Sequence, residues 1–347
     1  MSHPPVVLGL DFGGTKIAAA VCDLAGNKLG ATVVDSLGQH GARTSFDHGV
    51  QTARALLSSA APGAKLAAVG VSTFGIPFED RVELAPAIDG WESLALGREL
   101  RAAFAGSPVQ MATDAKAAAL AEARWGVLAG CDPAVYLNLG TGLATAIVVA
   151  GQVVSGSHGA AGEIGYNLRS PEDVGLELGR RVTLEDMVSG QALPRRVAAA
   201  DLTGPAGLDQ GLFTAAEIFQ ASQDDQALDD LISDFVNELA FHVTNLAILV
   251  DPIRIAVGGG MIRSRDRIIP RLAEALQAGV PFPPELMVAH FPDDAPLLGA
   301  VALAVDAASG ANVRNIDEYG SRRSHSEHAW AHTGVEHAPA LSTDNTA

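Results

Sequence analysis

Two short glycine-containing segments have the composition of phosphate-binding turns. The first reads Asp11-Phe12-Gly13-Gly14-Thr15-Lys16, and the second reads Leu139-Gly140-Thr141-Gly142. Glycine lets the backbone approach an anion closely and point N–H groups at it, and the threonine adds a hydroxyl donor. A plain β-hairpin turn explains either segment alone. Because both follow strand-like runs at equivalent points of the chain, together they favour a clamp on a polyphosphate.

A third glycine segment and an aspartate extend this candidate nucleotide site. The chain has Gly258-Gly259-Gly260 after an apolar run, where missing side chains would let a flat base lie against the backbone. This triplet does not match the dinucleotide pattern GxGxxG, which disfavours an NAD enzyme. Asp11 at the end of the first strand is predicted to hold a hydrated Mg²⁺ ion.

Asp114 is the candidate catalytic base. It opens an alanine-rich segment predicted to be a helix that runs to about Leu128. An ordinary helix N-cap is one interpretation, and a base is compatible with it because a helix N-terminus favours the ionised carboxylate. In phosphoryl transfer the transition state is loose, so a positioned carboxylate of ordinary pKa is enough to orient the attacking hydroxyl and accept its proton.

Two glutamates are candidate ligands of a polar substrate. Glu163 lies in a loop of small residues, and Glu185 lies in the first turn after Thr183. The alternatives are a solvated loop carboxylate for Glu163 and a dipole-favoured acid for Glu185. If buried, both would accept hydrogen bonds from sugar hydroxyls or an amino group.

The elements that must position these residues form a repeated pattern. A strand at residues 6–11 turns at the first glycines and returns through residues 16–22, and a second pair begins at Ala134 and returns through residues 144–150. The repeat predicts two related α/β lobes. A helix at residues 297–308 is the last predicted element, and the polar residues after about 311 predict a disordered tail.

Composition narrows the class of protein. The chain has 347 residues, 48% of them hydrophobic and only 5% aromatic, which suits parallel strands covered by alanine-rich helices. A net charge of −17 argues against nucleic acid and anionic membranes as partners. Apolar runs are too short for a membrane span. The start of the chain shows no signal peptide, and Cys22 and Cys131 lack metal-like spacing, so a reducing, cytoplasmic location is expected.

Taken in order from about residue 6 to 310, these motifs resemble the ROK family of repressors and sugar kinases. The resemblance implies a two-lobed actin/hexokinase-like (ribonuclease H-like) α/β fold with an interlobe cleft. It places residues 1–113 and the helix at 297–310 in one lobe, residues 114–296 in the other, and residues 311–347 in a tail. It also implies ATP-dependent, Mg²⁺-dependent phosphorylation of a hexose or aminohexose, giving the 6-phosphate and ADP.

The family's motifs map onto individual residues. Asp114 corresponds to the base of the N-D-A-N motif, and the first two glycine turns correspond to segments that hold ATP phosphates. The GGG segment borders adenosine in the family. The sugar-site positions implied by the resemblance are Gly75, Thr113, Asp114, Glu163, Tyr166 and Glu185.

Departures from the family pattern are also visible. Tyr166 stands where the family has histidine, Thr113 and Ala87 replace asparagines, and residues 175–181 replace the zinc-binding cysteine cluster. We therefore expect no structural zinc and a loop held by packing. A pocket that keeps carboxylates but loses amide donors would favour an aminohexose, with kanosamine kinases as the family precedent. A sugar-binding regulator and a pseudokinase are the alternative functions, and a homodimer is expected by analogy alone.

Overall fold

The computed structural model describes residues 4–202 and 213–310. The elements before Asp114 are β1 (Val6–Phe12), β2 (Lys16–Asp23), β3 (Lys28–Asp35), α1 (Ala42–Ala60), β4 (Leu66–Thr73), β5 (Ile76–Pro77), β6 (Val82–Glu83), α2 (Leu96–Ala103) and β7 (Val109–Thr113). The elements from Asp114 onward are α3 (Asp114–Trp125), β8 (Ala134–Leu139), β9 (Leu143–Val149), β10 (Gln152–Val153), α4 (Leu184–Met187), α5 (Ala192–Ala199), α6 (Ala215–Ala221), α7 (Gln226–Val250), β11 (Arg254–Gly258), α8 (Arg265–Gly279), β12 (Glu285–Val288) and α9 (Ala295–Ser309).

The structure contains two five-stranded sheets with the same strand order. The first sheet runs β3-β2-β1-β4-β7 and the second runs β10-β9-β8-β11-β12. In each sheet a central strand pairs antiparallel with the strand that follows it and parallel with a later strand. The predicted repeat of strand, glycine turn and strand is therefore confirmed.

Both central strands are apolar along nearly their whole length because helices cover both faces of the sheets. Every residue of β1 except Asp11 is buried, as expected for a strand with parallel neighbours. On one face, Phe12 packs against Phe46 of α1 and against Trp91. This packing fixes the end of β1, where the first glycine turn begins.

Helix α9 connects the first sheet to the second half of the chain. It packs on β1 and β4 and also along α3. A methyl group at Gly299 would overlap the backbone of Ala117, so only glycine allows the two helices to approach this closely. The position of α3, and with it Asp114, is set by this contact.

The end of one helix differs from its prediction. Helix α3 ends at Trp125 and not near Leu128, and two short 3₁₀ turns lie at Pro171–Asp173 and Leu178–Arg180. The predicted disordered tail lies outside the described residues, and the lobe boundaries stay a prediction. None of the described helices is long and apolar enough to cross a membrane.

Candidate active site

The candidate base and the candidate metal ligand lie at the same edge of the first sheet. Asp11 on β1 is paired in register with Ser72 on β4, and Thr73 on β4 is paired with Thr113 on β7. These three strands are parallel, so their carboxyl ends, where ligands bind in open α/β sheets, meet at one edge. Asp114 follows β7 directly and is the first residue of α3.

The predicted role of Asp114 as an N-cap is wrong. Thr113 is the N-cap, and its hydroxyl accepts a hydrogen bond from the Lys116 N–H at 3.4 Å. Asp114 instead accepts from the neighbouring Ala115 N–H at 2.7 Å. The extended backbone of Thr113 lets its short side chain reach back to the helix, and this leaves the second oxygen of Asp114 uncommitted within the described part of the chain.

Asp11 and Asp114 influence each other electrostatically. Burial raises the pKa of Asp11 to about 7, against the effect of the Ser72 hydroxyl, and the charge of Asp114 adds to the rise. Burial also raises the pKa of Asp114, while the Ala115 N–H and the charge of Lys116 oppose it. Two neighbouring half-buried carboxylates are stabilised by a divalent cation, and oxygen ligands suit Mg²⁺. The arrangement therefore fits the predicted metal.

Each glycine turn is closed by a hydrogen bond from the N–H of its first glycine, across three residues in the first turn and two in the second. The Gly13 N–H donates to the Lys16 carbonyl at 2.9 Å, and the Gly140 N–H donates to the Gly142 carbonyl at 3.0 Å. Across residues 4–202 and 213–310, four turn N–H groups find no acceptor: those of Gly14, Thr15, Thr141 and Gly142. Free N–H groups at adjacent positions form a concave anion site, so both turns fit phosphate oxygens.

The GGG segment lies beside the second turn. Gly258 on β11 is paired with Asn138 on β8, and a methyl group at Gly259 would lie 2.5 Å from the Leu139 carbonyl. A methyl group at Gly140 would lie 3.8 Å from the Gly260 nitrogen. The two segments therefore form one surface. The segment predicted to contact the adenine ring lies next to a turn predicted to bind phosphate.

Glu163 is not a solvated loop residue. Its side chain is 18% exposed and its Oε1 lies 3.3 Å from Nζ of Lys116, whose side chain is 4% exposed. Burial raises the pKa of Glu163, the Lys116 charge opposes this, and the charges of Asp114 and Glu185 add to it. Sequence reasoning missed Lys116, although its place two residues after the base was a usable signal.

Glu185 connects the second glycine turn to the Glu163 loop. Its Oε2 accepts from the Leu143 N–H at 2.7 Å, and a methyl group at Gly165 would lie 3.2 Å from its Cβ. Burial raises the pKa of Glu185, and the bond from Leu143 opposes the rise. A substitution in the second glycine turn should therefore alter the position of the Glu185 carboxylate.

Tyr166 and Gly75 complete the set of predicted positions. Burial raises the pKa of Tyr166 to about 12, and the charges of Glu185 and Glu163 add to the rise, so the phenol faces these acids as a neutral donor. Gly75 lies two residues beyond β4 with φ of 74°, at the same edge as Asp11. Ala87 lies beside the first glycine turn, where a methyl group at Gly14 would be 3.4 Å from its Cβ.

The loop that replaces the family's cysteine cluster is held differently from what was expected. Its apolar side chains are exposed, Val174 by 70% and Leu176 by 50%, so the expectation of packing is wrong. Arg181 instead donates to the carbonyls of Tyr166 and Asn167 at 2.6 and 3.0 Å. Within the described ranges, no group of three or more His, Cys, Asp or Glu side chains is arranged to hold a metal ion.

Comparison with known proteins places the chain among sugar kinases and related proteins. The model of the ROK family matches residues 7–307. A kanosamine kinase of Amycolatopsis mediterranei is 29% identical over 88% of this chain and 98% of its own length. A glucokinase of Streptomyces coelicolor is 28% identical over 86% of this chain and 97% of its own length.

Solved structures agree with these relatives. The ROK hexokinase of Thermus thermophilus superposes with a TM-score of 0.71 at 28% identity, covering 86% of this chain and 97% of that one. A ROK family glucokinase of Streptomyces griseus, solved with glucose and AMPPNP, gives 0.68 at 29% identity, covering 86% and 99%. These matches confirm the predicted two-lobed actin/hexokinase-like α/β fold.

Proposed function

Because the chain belongs to the ROK family, we propose that it transfers the γ-phosphoryl group of ATP to a hydroxyl of a hexose or aminohexose. The products are the sugar 6-phosphate and ADP. The observation that carries this proposal is the position of Asp114. It lies at the shared carboxyl edge of β1, β4 and β7, and its charge also acts on Glu163 and Glu185.

Asp114 serves as the general base. Its hydrogen bond from Ala115 holds one oxygen, and the other is available to orient the sugar hydroxyl and accept its proton. Placement in the first turn of α3 favours the ionised carboxylate, and the Lys116 charge acts in the same direction. Little basicity is required, because the attacking oxygen is only weakly bonded to phosphorus in a loose transition state.

The glycine turns and Asp11 bind the nucleotide and its metal. The free N–H groups of the two turns receive phosphate oxygens, and the surface around Gly259 receives the adenosine. Asp11 holds Mg²⁺, which when bound neutralises charge on the phosphates. Glu163, Glu185, Tyr166, Thr113 and Gly75 surround the sugar. A sugar in this position excludes water, which limits hydrolysis of ATP.

A coupled ADP-release assay across a panel of hexoses and aminohexoses tests the proposal. The wild type should release ADP only when a sugar is added, and Asp114→Asn should reduce turnover by roughly 10²- to 10⁴-fold, the usual contribution of a general base. Asp266→Asn is the matched control, because its side chain is 95% exposed, and it should keep full activity.

The assay also separates the alternatives. Sugar binding without ADP release by the wild type would support a sugar-binding regulator or a pseudokinase. Unchanged turnover in Asp114→Asn would remove Asp114 as the base while leaving the enzyme in place. A cytoplasmic location and a homodimer stay predictions.

A further inference from the structure

Lys116 places a positive charge among the carboxylates of the sugar site. It is the third residue of α3, and its ammonium lies 3.3 Å from Oε1 of Glu163, a residue 47 positions away in the chain. The Lys116 side chain is 4% exposed. A buried ammonium is costly without a partner, so the pair with Glu163 is what allows Lys116 to remain charged there.

The direction of the Lys116 side chain is set by charge and not by close packing. Lys116 borders a cavity of about 60 Å³ that is also lined by Leu120, Val153 and Leu303, so close packing does not surround the whole residue. Asp306 lines the same cavity, but it is paired with Arg124 at 2.6 Å. The ammonium therefore extends to Glu163 because that carboxylate, and not Asp306, is its partner.

The pair changes the chemistry offered to a sugar. The acid-rich site predicted from sequence is rich in carboxylate acceptors, which suit an ammonium group. Lys116 adds a donor and a full positive charge beside Glu163. A hydroxyl group both donates and accepts hydrogen bonds, whereas an ammonium group only donates. A sugar hydroxyl at Glu163 can donate to the carboxylate and turn its lone pairs toward Lys116, while an ammonium there faces a like charge.

We propose that the Lys116–Glu163 ion pair is a specificity device that selects hexoses uncharged at the position facing Glu163 and rejects aminohexoses with an ammonium there. This inference rests on the proposed kinase function and narrows its substrate class. Lys116 already pairs with one oxygen of Glu163 and places a positive charge where a substrate ammonium would seek a carboxylate. One relative is named a kanosamine kinase. Kanosamine, a 3-amino sugar, is therefore a substrate of this chain only if its amino group points away from Glu163.

The test compares glucose with its 2-amino, 3-amino and 4-amino derivatives. Dissociation constants from calorimetry and kcat/KM values give the preference for the hydroxyl over the ammonium at each position. We expect the wild type to prefer glucose over at least one derivative by on the order of 10- to 100-fold. Lys116→Met removes the charge and should reduce that preference at least about tenfold, while Lys116→Arg should retain it.

A second variant gives a change of opposite sign. Glu163→Gln keeps the shape of the side chain but leaves the Lys116 charge without its partner, so the preference for the neutral sugar should increase. A merely structural role for the pair would weaken all sugars equally in both variants. Should Lys116→Met fail to fold, the wild-type preference and the Glu163→Gln shift still decide the matter.

The outcomes distinguish the inference from the proposed function. Equal use of glucose and all three amino derivatives by the wild type overturns the inference and leaves the kinase intact. Preferences that stay the same in Lys116→Met and Glu163→Gln also overturn it. No binding and no turnover with any sugar removes the proposed function, and the inference with it.

Discussion

The first and second sheets have the same strand order but contribute different chemistry at their carboxyl edges. The first sheet carries acids at this edge, with Asp11 next to the last residue of β1 and Asp114 directly after β7. The second sheet ends in glycines, with Gly140 after β8 and Gly258 on β11. Its acids, Glu163 and Glu185, come from the segments that follow β10. Both sheets therefore supply a glycine turn with exposed backbone, and the first sheet adds acids at its strand ends.

The acids and the glycine turns differ because each set of groups is proposed to bind a different ligand. A metal ion and a hydroxyl to be deprotonated require carboxylates, whereas phosphate oxygens require N–H donors without side chains in the way. The charge of Asp114 adds to the raised pKa of Asp11, and the charge of Lys116 opposes the rise in the pKa of Asp114. Lys116 offsets this repulsion in the sugar site, and Mg²⁺ is expected to do so at Asp11.

The largest expected effect concerns Asp11, an acid of the first sheet, and its influence on stability. The pKa of Asp11 is about 7 in the fold, against about 4 in an unfolded chain. The folded state therefore binds the proton more tightly, and without metal the free energy of unfolding should fall by a few kcal/mol as pH rises from about 4 to about 7. Denaturant unfolding in a chelator should show this slope in the wild type and lose it in Asp11→Asn.

Magnesium supplies the control for that measurement. At neutral pH it should stabilise the wild type by binding the ionised carboxylate, and it should stabilise Asp11→Asn much less. An identical pH slope in the two proteins would show that Asp11 is not the group that titrates, and would remove the reason for placing the metal there.

An intermediate effect on KM is expected at the second glycine turn, Gly140 to Gly142. A methyl group at Gly142 would overlap Oε2 of Glu185 and break its bond from Leu143, whereas the nearest atom to a methyl group at Gly140 is 3.8 Å away. Gly142→Ala should raise KM for the sugar by on the order of 10-fold, about 1.4 kcal/mol. Gly140→Ala should raise KM for ATP and leave that for the sugar unchanged. Equal effects of both changes on both substrates would contradict this assignment.

The smallest effect is expected at the junction of the two halves. Thr113 caps α3 through a long bond of 3.4 Å, so Thr113→Ala should lower the free energy of unfolding by about 1 kcal/mol or less. Thr113→Ser keeps the hydroxyl and should restore stability in the same denaturant titration. A loss well above this range would mean that Thr113 contributes more than a helix cap.

Local patterns predicted much of the fold and most of the candidate site. The repeat of strand, glycine turn and strand is encoded within about twenty residues each time, and turn glycines specify their own backbone geometry. The sequence suggested Asp114 as the N-cap of α3, whereas Thr113 is the cap, because both residue types suit an N-cap and only the backbone angles choose between them. The loop at 175–181 was predicted to be held by packing because it lacks the zinc-binding cysteines, and the sequence alone does not show that Arg181 holds it through backbone carbonyls.

The amino-acid sequence by itself determined which groups are available: two glycine turns, a glycine triplet, an aspartate opening a helix, a glutamate in a loop and a glutamate in a first helical turn. Only the tertiary structure decided which of them meet. Asp11 reaches Asp114 because β4 brings β1 and β7 into one parallel sheet, and Glu163 meets Lys116 across 47 residues of chain. Hydrogen bonds and charges act over a few ångströms, so partners far apart in sequence are chosen by packing and not by local pattern.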